Sequence, residues 1–166
     1  PLALFGLADG TAYDILSAGD VTELGLLASE ADTLRFHFEA GEGTDLAGYR
    51  LLDRATGAVY ELDDVPALPA GGVTLGRFAL ATTAALDDAP TAVADVYVTL
   101  TGRTATVHSA AQPIATFVLT AADGRTLTRR TGITANETSV QLRGGVQVLT
   151  VTLQDGTQRT FKLLAR

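Results

Sequence analysis

Residues 114–130 read IATFVLT-AADG-RTLTRR, and this stretch decides the fold class. Ile114, Thr116 and Val118 alternate along the first seven residues with Ala115, Phe117 and Leu119. β-branched and aromatic side chains at this density suit a pleated, half-buried ribbon rather than a helix. Asp123-Gly124 then breaks the run where a tight turn needs a glycine, and Thr126 to Arg130 resumes it. The unit is strand, turn, strand.

The same grammar repeats in both directions. Upstream, residues 96–100 pass through Thr101-Gly102-Arg103 into residues 104–108. Downstream, residues 138–142 pass through Arg143-Gly144-Gly145 into residues 146–153, and Asp155-Gly156 turns the chain into residues 158–164. Short strands at roughly 8–12-residue spacing with glycine turns predict a β-sandwich or barrel.

The first half carries strand signals of its own. Thr33-Leu34-Arg35-Phe36-His37-Phe38-Glu39 alternates strictly, with Leu34, Phe36 and Phe38 on one face, which predicts a half-buried strand. Residues 49–53 and 58–62 flank Arg54-Ala55-Thr56-Gly57, a turn in which Gly57 supplies positive φ. Residues 4–7 and 11–16 around Asp9-Gly10 predict a second hairpin, and residues 21–27 and 77–82 complete about seven short strands. Residues 22–31 contain good helix formers, but a strand is the preferred reading there. No fixed-period repeat is evident.

Charge divides the chain. The net charge is −7, yet residues 1–88 hold fifteen acidic and four basic side chains, and residues 89–166 hold four acidic and eight basic ones. The balances are −11 and +4. With Asp87, Asp88 and Pro90 and no apolar period, residues 84–91 read as a linker. The expected organisation is therefore all-β, two small antiparallel β-sandwiches of Ig-like or Greek-key type in tandem. An acidic accessory module would span 1–86, a linker 87–93 and a C-terminal module 94–166. The acidic first half argues against a nucleic-acid partner. Apolar residues at 46% argue against disorder, and no apolar run approaches the roughly 20 residues of a membrane span. Cysteine is absent, which excludes disulfides, thiolate metal sites and cysteine nucleophiles.

Chemistry-bearing residues are sparse. His37 and His108 are the only histidines, and both read as solvated side chains on strands. No nucleophile elbow, metalloprotease motif or phosphate loop is present, so no catalytic residue and no cofactor is expected. Asp63 and Asp64 are the candidate Ca²⁺ ligands, since with Asp9, Asp45 and Asp53 they could converge in loops. The reading that competes with this one is solubilising loop charge. Arg125, Arg129, Arg130, Arg143 and Arg159 could line a basic face, which otherwise is a solvated strand face. Tyr13, Tyr49, Tyr60 and Tyr97 are expected mainly in cores.

The second half resembles the C-terminal sorting domain (type A) of Bacteroidetes type IX secretion cargo over residues 92–166. The resemblance is carried by Ile114 to Leu119, then Asp123-Gly124-Arg125, then Gly144-Gly145-Val146, and by Lys162 and Arg166 at the end of the chain. Val146-Gln147 stands where the family has a Gly-x-Tyr-like step. The resemblance implies a non-catalytic C-terminal region of a protein secreted from, or attached to the outer-membrane surface of, a Gram-negative bacterium. It implies an outer-membrane secretion translocon and a sortase-like peptidase as partners, with the cut in the 84–93 region. The alternative is an adhesion or carbohydrate-binding β-sandwich module with a surface glycan or protein as ligand.

Overall fold

The computed structural model describes residues 2–8, 11–13, 19–43, 45–88, 96–110 and 112–165. Thirteen antiparallel strands and one short helix make up its regular structure, so the all-β expectation is met. In chain order the strands are β1 (Leu2–Ala8), β2 (Thr11–Tyr13), β3 (Val21–Leu34), β4 (Tyr49–Asp53), β5 (Ala58–Glu61) and β6 (Leu68–Thr82). After helix α1 (Thr83–Asp88) come β7 (Val96–Thr101), β8 (Thr104–Ser109), β9 (Ile114–Ala121), β10 (Thr126–Thr131), β11 (Glu137–Gln141), β12 (Gly145–Leu153) and β13 (Gln158–Ala165). Sheet I has nine strands in the order β11-β8-β7-β6-β3-β1-β2, with β4 paired to β6 and β5 to β4. Sheet II has four, β10-β9-β12-β13.

The strand pairing of the second half follows its alternation. Buried residues recur every second position along β8 and β12, and Val96 with Val98, Ala105 with Val107 and Leu149 with Val151 turn to one side. These join Ile114, Phe117, Leu119, Val140, Phe161 and Leu163 in one apolar cluster drawn from both sheets. The chain passes between sheets after β8, β10 and β11, since β11 pairs with β8 while β12 pairs with β9 and β13.

One sheet also runs across the boundary expected between the two modules. Val73, Thr74 and Leu75 of β6 pair with Leu100, Thr99 and Val98 of β7. Leu75 belongs to the mixed cluster, and Phe5 and Val73 pack against it. A second cluster lies on the opposite face of sheet I, where Leu24, Leu26, Leu51, Leu68 and Phe78 are covered by Phe36, Phe38, Tyr60 and Leu62.

The first half differs from its sequence reading in three places. Residues 35–40 are not a strand, because β3 ends at Leu34. The alternation nevertheless reports burial correctly: Leu34, Phe36 and Phe38 are half-buried and their neighbours exposed. Phe36 stacks on Phe38 (6.1 Å between centroids) and tilts against Phe78 at 4.9 Å, so the segment lies over sheet I as a cover. β6 is longer than expected, extending back through Gly72-Gly71 to Leu68. Pro69 is tolerated because, among the described residues, β6 is flanked there by β3 alone, so its missing N–H costs no ladder bond on the other side. Finally, the segment read as a linker opens with the single turn of α1, capped by the Thr82 hydroxyl, which accepts the Ala85 N–H at 3.2 Å. Residues 89–95 lie outside the described residues. The strand reading of residues 22–31 and the hairpin at 49–61 agree with the sequence, and Gly57 has φ +72°. The first hairpin is paired from β1 to β2, while its expected turn residues Asp9 and Gly10 and residues 14–16 lie outside the described residues.

Candidate functional site

Two groups of side chains stand out, one at an end of sheet II and one on the outer face of sheet I. At the end of sheet II the register gathers residues distant in sequence. Ala121 pairs with Gln147 and Gly145 with Ala165. The Asp123-Gly124-Arg125 turn, the Gly144-Gly145 step and the last residues of β13 therefore share one end of the sheet. Asp123 closes the turn, its Oδ1 accepting the Arg125 N–H at 3.0 Å. Gly124, Arg125, Gly144, Gly145 and Lys162 are all exposed. Lys162 stands opposite Val148, three residues in from Ala165. Arg166 lies outside the described residues.

The sequence marks Gln147 only as part of the step where the chain departs from the family it resembles, and it organises this end. Its side chain is buried, its amide nitrogen donating to the Arg143 carbonyl and its Oε1 accepting the Arg143 N–H at 3.2 Å. A strand residue thus holds the crossing between the sheets, and its amide matches both a donor and an acceptor where an apolar residue could match neither. No pattern flagged it, because an isolated glutamine in a strand ordinarily points to water.

On the outer face of sheet I, cross-strand pairing lines up Tyr97 of β7, His108 of β8 and Glu137 of β11. The Tyr97 and His108 rings stack at 4.6 Å and 12°. His108 Nδ1 is 3.1 Å from Glu137 Oε2, and His108 Nε2 is 3.1 Å from Thr99 Oγ1. With the carboxylate accepting from Nδ1–H, a neutral ring presents Nε2 as acceptor for the Thr99 hydroxyl. Beside this row lie Thr106 with Ser139 (3.0 Å) and Gln141 with Thr104 (2.7 Å). His108 is thus not the solvated side chain expected from sequence: its side chain is 23% exposed and bonded on both nitrogens. Burial lowers its pKa below the usual imidazole value against the opposing pull of Glu137, and Arg77 adds a small lowering. Burial likewise raises the Tyr97 hydroxyl.

The hydroxyl–imidazole–carboxylate connectivity is that of acyl-transfer relays, but such chemistry also requires N–H donors aimed at a developing oxyanion. Around Thr99 the strands β6, β7 and β8 are paired in ladders, so their N–H groups are committed to the sheet. The arrangement fixes the ring's orientation and leaves Glu137, 66% exposed, as the group facing solvent.

The row continues to Arg77 on β6, whose guanidinium binds Asp53 through Nε–Oδ1 and Nη2–Oδ2, both 2.9 Å. Asp53 is buried and so committed, which removes it from the Ca²⁺ set suggested by sequence. Asp63 and Asp64 lie exposed in the turn after β5, and Asp45 accepts the Ala47 N–H at 2.9 Å. Asp9 lies outside the described residues, among which no three His, Asp or Glu side chains are grouped as metal ligands. His37 is exposed and meets Glu39 at 3.1 Å. The basic residues are spread: Arg130 lies over the Phe117 ring, Arg159 approaches Glu23 at 4.0 Å, and Arg125 sits at the turn. No helix is long and apolar enough to cross a membrane among the described residues.

No protein-family model matches the chain, and no curated protein matches it.

Proposed function

We propose that this chain is a non-catalytic C-terminal region of a secreted or surface-attached bacterial protein, in which residues 94–166 serve as a secretion and sorting signal. In this reading residues 94–166 are a Greek-key β-sandwich with β7, β8 and β11 as one layer and sheet II as the other. Residues 1–86 are an acidic β accessory to it. A secretion translocon in the outer membrane reads the signal, and a sortase-like peptidase cuts near its start.

One observation carries the reading. Asp123-Gly124-Arg125, Gly144-Gly145 and the end of β13, which the sequence brings in from three separate places, come to one exposed end of sheet II. A receptor that recognises a folded module needs such a composite surface, whereas residues kept only for turning the chain need not share an end. The test is a reporter fused to residues 89–166 in a host with a type IX system. Export to the cell surface is expected, and replacing Asp123, Gly124 and Arg125 together with the Gly144-Gly145 step should retain the reporter in the periplasm. Periplasmic retention of the unmodified fusion would refute the reading.

A further inference from the structure

We infer that the free edge of β13 is a strand-addition site for an extended segment of a partner protein, apolar at alternate positions and carrying a carboxylate opposite Lys162. The inference stands whether or not residues 94–166 are a sorting signal. Its starting point is the mismatch between the sheets: sheet II has four strands and sheet I nine. β13 lies above β6 and β3, since Arg159 approaches Glu23 at 4.0 Å and the Phe161 ring lies 3.5 Å from where a Cβ on Gly76 would stand. Sheet I then continues to β1 and β2, past the last strand of sheet II.

The part of sheet I beyond β13 offers an apolar floor. Gly25 and Leu27 share the face of β3 turned toward sheet II, because Leu24 and Leu26 belong to the cluster on the opposite side. Phe5 of β1 lies across Gly25 and packs against the mixed cluster. Phe5, Leu27 and Val73 are only partly buried. A fifth strand in sheet II would set its inward side chains on this floor.

The two edges of sheet II are built differently. β10 carries a register irregularity between Thr126 and Thr128, a device that discourages edge pairing. β13 has eight residues, without proline or glycine, in unbroken register with β12 from Gly145–Ala165 to Thr152–Gln158. Among the described residues it pairs with β12 alone. Beside it Leu164 is 59% exposed and its cross-strand neighbour Val146 38%, so the edge displays apolar surface that a neighbouring strand would cover.

Charge selects the occupant. β13 carries Arg159 and Lys162 and no acidic residue. A second copy pairing through β13 would therefore offer Lys162 no carboxylate, whereas an acidic segment would place one directly across the strand. Antiparallel addition sets an apolar residue opposite Leu164, a carboxylate opposite Lys162 and a hydroxyl opposite Thr160, with apolar residues between them facing the floor.

The probe is a fluorescein-labelled hexapeptide, Val-Ile-Glu-Val-Thr-Ser, titrated into the full chain by fluorescence polarisation, with amide hydrogen exchange on the complex. Saturable binding and slowed exchange confined to residues 158–165 are expected. Lys162→Glu, at an exposed position, should weaken binding roughly five-fold, and a peptide with Lys in place of Glu should recover it on that variant. No saturable binding, equal binding of a scrambled peptide, or protection elsewhere would overturn the proposal. Concentration-dependent protection of β13 without peptide would assign the edge to self-association and overturn the partner.

Discussion

Arg77 reaches 24 residues back along the chain to hold Asp53 in a two-pronged ion pair, both bonds 2.9 Å, with Asp53 wholly buried. A bulge makes the contact possible. Between Leu24/Phe78 and Gly25/Leu75 the register of β3 and β6 slips, and Gly76 takes φ +74°. The two residues that β6 gains there, Gly76 and Arg77, let Arg77 and Phe78 share one face, and the guanidinium lies 4.7 Å over the Phe78 ring. Asp53→Asn should strand the Arg77 charge in a largely buried site and cost about 3 to 5 kcal/mol. Urea denaturation measures it. Replacing both residues by leucine should cost less than either single change, because no unpaired charge remains.

Phe5 and Gly25 are direct cross-strand partners, and a Cβ on Gly25 would stand 2.1 Å from the Phe5 ring. Gly25→Ala must therefore displace the ring, at roughly 1 to 3 kcal/mol. The displacement is specific to the pair. In a Phe5→Ala background the same substitution should cost little or nothing, and a double-mutant cycle by thermal unfolding reads the coupling.

Sequence reasoning recovered what local alternation encodes and missed what depends on partners far along the chain. β7 to β13 are legible because every second residue of β8 and β12 is buried and the three hairpin turns hold Gly102, Gly124 and Gly156. The 33–39 segment shows the limit: alternation records which side chains face the protein, but a strand also needs a neighbour, and Arg35 to Ala40 have none in a ladder. The joining of β6 to β7 could not be read, because the sign change of charge near residue 90 resembles a domain boundary while ladder bonds leave no mark in composition. The burial of His108 and Asp53 escapes a reading of the sequence for the same reason. Their partners Thr99, Glu137 and Arg77 meet them only through sheet order.

Stability should fall with mild acid through His108. Its pKa in the folded chain is below the unfolded value near 6.5, so the unfolded state binds the proton more tightly. The contribution is fully present above pH 6.5 and is lost as pH falls below it toward the lower folded value. Denaturation midpoints between pH 7.5 and 5.5 should decline in the native protein and decline less in His108→Gln. Equal slopes in the two proteins would remove the assignment.

A cut in the chain between α1 and β7 should not separate its halves. β6 and β7 pair through Val73, Thr74 and Leu75, and Leu75 sits in the same core as Val98, Phe161 and Leu163. Glu23, held by Arg54 of its own half at 3.0 Å, reaches Arg159 of β13 at 4.0 Å, so the acidic half and the basic half meet through one pair of opposite charges. Arg54 is itself anchored, donating to the Gly76 carbonyl at the bulge. Apolar burial and strand pairing both survive loss of a peptide bond, which removes chain connectivity but no contact. A recognition site for a specific protease placed within residues 90–93 tests this. After complete cleavage the two pieces should co-elute on size exclusion at the volume of the intact chain and part only in denaturant. Leu75→Asp and Glu23→Arg together should let the cut pieces separate in plain buffer, because they remove the apolar and the ionic parts of the same seam. Pieces that separate on cleavage alone would mean that the β6–β7 pairing does not hold the two halves together in solution.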